Sequence, residues 1–153
     1  MKARIITLAL LVIAITGCNS ARKISNKEMA ANNPITEKYW KLKTLEGHEI
    51  KMKENQEREI YFTLKNAENR VEGFAGCNTI TGQYTLEEGN RISFSNMATT
   101  LKICPDVDIN ESEFLEVFKL ADNYTINKDT LSLNIGRRAP LAVFEAVYFK
   151  ETE

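Results

Sequence analysis

Apolar and polar residues alternate along most of this chain in short runs of period two, with one run of period near 3.6. Over 59–64, Ile60, Phe62 and Leu64 share one side of an extended segment, which predicts a half-buried strand. A segment at 40–45 opens the domain before it. Residues 66–69 read as a turn, and 70–75 return as the hairpin partner with Val71 and Gly73 on one face. Residues 82–87 and 91–96 flank Glu88-Gly89-Asn90 as strand, turn and strand, Tyr84 and Leu86 matching Ile92 and Phe94 by period. The stretch 97–104 is expected to extend the sheet as far as Pro105, which has no N–H to continue a ladder.

The change of period comes after Asn110. Phe114, Val117, Phe118 and Ala121 fall at i, i+3, i+4 and i+7, Asn110 is placed to cap, and Glu111 and Glu113 suit the first turn of a helix. Period two then resumes through 124–126, 130–135 and 141–149, with turns at 127–129 and 136–140. The last segment is apolar on both faces, which predicts a central or doubly covered strand. These elements make an α+β fold: a curved antiparallel sheet of about eight strands, with one helix (about 110–121) inserted before the last three strands.

The N-terminus follows another logic. MKARIITLALLVIAITG carries Lys2 and Arg4, then an apolar run from Ile5 to Ile15, then small residues before Cys18. Eleven residues rise only about 16 Å as a helix, too short for a bilayer, so 1–17 is expected to be a signal peptide that is removed. Ile15-Thr16-Gly17-Cys18 resembles a lipobox, in which the cysteine is acylated and becomes the new N-terminus. Ile15 and Thr16 depart from the commoner residues there; the other reading is a plain secreted protein. Residues 18–36, beginning with the lipidated Cys18, are polar and without period, and are expected to be a flexible linker, with the domain at 37–150. Arg22 and Lys23 stand where surface-exported lipoproteins of one bacterial phylum carry acidic residues. By that resemblance a periplasmic-facing location is expected, and Asn19 after the cysteine is compatible with transfer to an outer membrane, so the location expected is the bacterial cell envelope, lipid-anchored on the periplasmic face of the outer membrane.

Cleavage would leave 136 residues (153 less 17), with 18 basic against 21 acidic side chains. That balance offers no cationic surplus for a phosphate backbone, so nucleic acid is not an expected partner.

Trp40-Lys41-Leu42, GFAGCNTITGQY from Gly73 to Tyr84, MATTLKIC from Met97 to Cys104, ESEFLEVF from Glu111 and Asp129-Thr130-Leu131-Ser132-Leu133 resemble, in order and spacing, the META domain (HslJ-like) family. The specific part is Gly73, Gly76, Cys77, Asn78, Gly82 and Tyr84. The resemblance implies a compact α+β domain, often exported or lipid-anchored, in proteins tied to heat shock, envelope stress, antibiotic resistance or motility, with no assigned reaction. Leu101-Lys102 departs from the arginine and methionine frequent there, so no role of that arginine carries over.

Besides Cys18 the chain has Cys77 and Cys104. In an exported protein an even pair is most economically a disulfide. Two free buried thiols or a redox pair remain as alternatives, although neither cysteine has a CxxC neighbour. Gly73 and Gly76 suggest close backbone approach or a bulge around Cys77, and Asn78 suits the left-handed region and can bond its own turn.

Chemistry beyond this is sparse. His48, the only histidine, sits in a polar turn and reads as an exposed loop residue, so neither a cysteine hydrolase nor a zinc site with Cys77 and Cys104 is expected. Glu72 and Glu145 interrupt strand faces and are the carboxylates to watch for hydrolysis, although the solvated side of an alternation is the simpler reading. Arg137 and Arg138 could hold an anion or tip a hairpin. The expectation is therefore no enzyme, no cofactor and no metal. The membrane is held through Cys18, and the partner is either another envelope protein or a small hydrophobic ligand between sheet and helix.

Overall fold

The computed structural model describes residues 34–52, 54, 56–104 and 110–149. The expected signal peptide, Cys18, the linker up to residue 33 and Pro105 lie outside them. The packed domain takes in two residues assigned to the linker, since Ile35 and Thr36 are buried and the indole N–H of Trp40 donates to Ile35 O at 2.8 Å.

Among the described residues nine strands follow in chain order: β1 (Tyr39–Leu45), β2 (His48–Glu49), β3 (Tyr61–Lys65), β4 (Arg70–Phe74), β5 (Thr79–Glu87), β6 (Arg91–Thr99), β7 (Asn123–Asn127), β8 (Thr130–Asn134) and β9 (Ala142–Val147). Among the described residues one α-helix, α1 (Glu111–Leu120), stands between β6 and β7. All strand pairs are antiparallel, in the order β2-β1-β3-β4-β5-β6-β7-β8-β9, and β1 also pairs with β9 from Tyr39↔Val147 to Leu45↔Ala142. The curved sheet thus closes on itself, which removes most free edges.

Alternation sets the inner face as expected: Phe62 and Leu64 of β3, Val71 and Gly73 of β4 and Tyr84 and Leu86 of β5 are buried. The stretch after Met97 is strand only to Thr99. β9 is central, flanked by β1 and β8, but only its inner face is buried, through Ala142, Phe144 and Ala146. Its second apolar face is half-exposed and is therefore not doubly covered: Val143 and Val147 are half-buried and Glu145 is exposed. Beyond it, Phe149 meets Tyr39 edge-on at 5.1 Å, and Tyr39 stacks on Tyr61 at 4.1 Å, a ring cluster on the outer side.

The seam of the closed sheet is β6–β7, joined by the one pair Arg91↔Asn123. The helix adds its buried face there. Asn110 caps it, accepting from Glu113 N at 3.2 Å, and Phe114, Val117 and Phe118 are buried. Phe118 packs edge-on against Phe94 of β6 and Phe62 of β3, and Phe114 lies 6.3 Å from Phe144 of β9. These rings pack against one another on the inner face of the sheet, beneath the helix.

Candidate functional site

The glycine-rich segment joins β4 to β5. Phe74 and Thr79 are paired at the ends of those strands, so 75–78 must turn back within four residues. Gly76 has φ 108°, outside the range that side chains tolerate, and Ala75 N donates to Asn78 O at 2.8 Å to close the turn. Gly73 gives the close approach anticipated, because a Cβ there would collide with Tyr61 O on β3. The expected bulge lies elsewhere. Between Thr81↔Ala98 and Gln83↔Ser95 the extra residue belongs to β6, where Asn96 has φ 52°. Gly82 sits in the shorter β5 segment facing it.

Cys77 and Cys104 form a disulfide, with Cα atoms 6.0 Å apart. This ties the turn to the strip that follows β6.

Asn78 differs from its expected role. It is not in the left-handed region, and its side chain bridges two remote segments instead of its own turn. The amide nitrogen donates to Lys102 O at 3.3 Å and to Glu111 Oε2 at 2.7 Å. The amide oxygen accepts from Lys102 N at 2.7 Å and from Thr100 Oγ1 at 2.8 Å. Two donors and two acceptor sites are all that an amide has, so the buried Asn78 is fully satisfied.

Glu111 completes the cluster. Its carboxylate accepts from Cys77 N at 2.9 Å and Asn78 N at 2.6 Å, besides the Asn78 amide. It also stands in the first turn of α1, where the helix dipole favours negative charge. Sequence reasoning found Glu111 only as a first-turn acid. Its tie to Asn78, 33 residues away, has no local signal.

The strip 100–104 is thus held by Asn78 through both backbone groups of Lys102, and by the disulfide at its end. Held this way, it presents Leu101 at 92% and Ile103 at 91% exposure.

Tyr84, the last motif residue, is buried, and its hydroxyl donates to Lys65 O at 3.3 Å. Burial pushes its pKa up to about 12.

The other candidates are dispersed. His48 is exposed on β2. Glu72 pairs with Arg70 at 2.7 Å within β4, and Glu145 of β9 with Lys43 of the neighbouring β1 at 3.3 Å, so the two carboxylates are on different strands with separate partners. Arg137 and Arg138 are exposed, Arg138 at the rim of a groove of about 380 Å³ that Ile135, Pro140, Leu141 and Val143 line. Among the described residues no three His, Cys, Asp or Glu side chains converge as metal ligands, and no helix is long and apolar enough to cross a membrane.

The model of the META domain matches residues 33–148. An NMR structure of a protein from Burkholderia xenovorans superposes with a TM-score of 0.59 at 20% identity, covering 96% of this chain and 99% of that one, a likeness of fold. No curated protein matches.

Proposed function

Since this chain belongs to the META domain family, we propose that it is a lipid-anchored envelope protein whose non-catalytic domain binds another envelope component and helps maintain the envelope under stress. The anchor is Cys18, and the place is the periplasmic face of the outer membrane. The observation that carries the reading is that the family motif is used up internally. The Asn78 amide makes all four of its bonds to Thr100, Lys102 and Glu111. Cys77 is bonded to Cys104. A motif that holds a strip of chain in place serves presentation of a surface better than it serves a reaction.

The carrier alternative has less support, because the rings of Phe62, Phe114, Phe118 and Phe144 pack against one another inside the closed sheet, beneath the helix.

The test is crosslinking in intact cells, comparing the natural chain with Cys18→Ala. One or a few attached envelope proteins, lost or redistributed in the variant together with stress tolerance, are the expected result. Equal tolerance of both forms with nothing attached to either would overturn the proposal. Native mass spectrometry of the unlipidated protein covers the alternative, for which a co-purified hydrophobic molecule is the supporting result.

A further inference from the structure

We propose that the unpaired edge of β6 accepts an extended segment of a partner polypeptide as an added strand, with one apolar side chain of that segment seated between β6 and α1. This rests on the binding role proposed above and makes the partner a protein.

Among the described residues the thinnest joint of the closed sheet is that between β6 and β7. β6 is paired with β5 from Arg91 to Thr99, but β7 meets it only at Arg91↔Asn123. Ile92 N reaches Asp122 O at 3.2 Å, and Tyr124 N reaches Asn90 O at 2.9 Å. Past Ile92, among the described residues, no strand lies against that side of β6 and no backbone hydrogen bond reaches it. In an antiparallel ladder alternate residues turn both backbone groups to the same side. Ile92 points its N–H away from β5, so Phe94, two residues on, does the same. Thr100 N bonds Thr79 O on β5, so its neighbour Thr99 is also turned outward. Such a row of donors and acceptors is matched by a strand, whereas a lipid chain or an aromatic ligand would leave it unpaired.

Beside this edge runs a groove of about 450 Å³, walled by Phe94 and Met97 of β6 and by Leu115 and Phe118 of α1, with Ser112 and Lys119 along it. Lys119 is paired with Glu116 at 3.2 Å, which leaves the rim without a free charge to select a charged side chain. An uncharged, apolar side chain is the one that fits. The bulge at Asn96 breaks the flatness of the edge. Bulges of this kind oppose indiscriminate strand pairing, so a productive partner must also fill the groove.

The test uses the full chain, oxidised, as bait for a random octapeptide library displayed on phage. Enriched peptides are expected to share one apolar residue in an otherwise alternating extended pattern, and to shift the amide resonances of 93–99. N-methylation of alternate peptide amides should weaken binding at least tenfold. Ser112→Trp, at an exposed position, should block the groove to a similar degree without affecting folding. Leu115→Glu, checked for native circular dichroism, is the second variant and should act in the same direction. No enrichment, binding indifferent to N-methylation and to both variants, or resonance shifts confined to other strands would overturn the proposal. So would a dimer of this chain that Ser112→Trp dissociates, because the edge would then belong to a second copy. Peptide binding in vitro does not depend on Cys18, so failure here is distinguishable from failure to capture an envelope partner in cells.

Discussion

Glu111 holds Asn78 by two nitrogens at once, the backbone N–H at 2.6 Å and the side-chain amide at 2.7 Å. One carboxylate at a helix start therefore fixes both the turn before β5 and the group that clamps Lys102. Hydrogen bonds to a charged acceptor contribute about 1.5–3 kcal/mol, more than neutral ones. Glu111→Gln, which removes the charge and half of the accepting capacity, is expected to destabilise by about 2 kcal/mol in urea unfolding. Asn78→Asp should cost more, on the order of 3 kcal/mol, since it deletes both amide donors and places a second carboxylate beside the first. A double-mutant cycle of the two sites should show coupling well above the roughly 0.5 kcal/mol expected of independent positions.

The disulfide closes a separation of 27 residues. In the chain-entropy model this stabilises by about 3.5 kcal/mol. Replacing Cys77 and Cys104 together by alanine is expected to lower the unfolding midpoint accordingly, and it leaves the hydrogen bonds of Asn78 to open more often once the disulfide no longer pins the strip. Hydrogen exchange should then show protection at Lys102 N reduced and that within β3 and β4 lowered only by the global change. Equal loss throughout would mean that the strip has no stability of its own to lose.

Gly73 and Gly82 belong to the same motif but differ in what surrounds them. A Cβ at Gly73 would collide with Tyr61 O, a backbone atom that cannot turn aside, and would press Ile80. At Gly82 the first obstacle is the sulfur of Met97, the flexible end of a half-buried side chain. Gly73→Ala is expected to cost about 3 kcal/mol and Gly82→Ala about 1 kcal/mol. Thermal unfolding of the two variants checks the order, and the reverse ranking would contradict the geometry.

Burial disfavours the phenolate of Tyr84 and moves its pKa up to about 12. The folded state therefore holds the proton more tightly than the unfolded chain, where tyrosine titrates near 10. Its contribution is complete below about pH 10 and is lost as pH rises through about 12. Denaturation at pH 9 and pH 11 should show a fall in stability, and Tyr84→Phe should make that fall shallower. Tyr39, also raised by burial, keeps part of the slope.

What could be read from the sequence was what repeats locally. The period-two runs placed the strands around Phe62, Val71 and Tyr84, and the Asn110 cap with Phe114, Val117 and Phe118 placed the helix, because burial of one face imposes its period on neighbouring residues. The pairing of Cys77 with Cys104 also followed from residue type and expected compartment. Closure of the sheet did not, since nothing within 39–45 or 142–147 states that β1 lies beside β9; that pairing joins the two ends of the domain. The same holds for the bulge at Asn96 and the one-sided burial of β9, which depend on neighbours that only the closed sheet supplies. The motif was legible as a set of letters and not as a device. A buried amide has to satisfy every donor and acceptor it carries, and the groups that satisfy Asn78 come from Thr100, Lys102 and Glu111, brought to it by the packing of the whole chain.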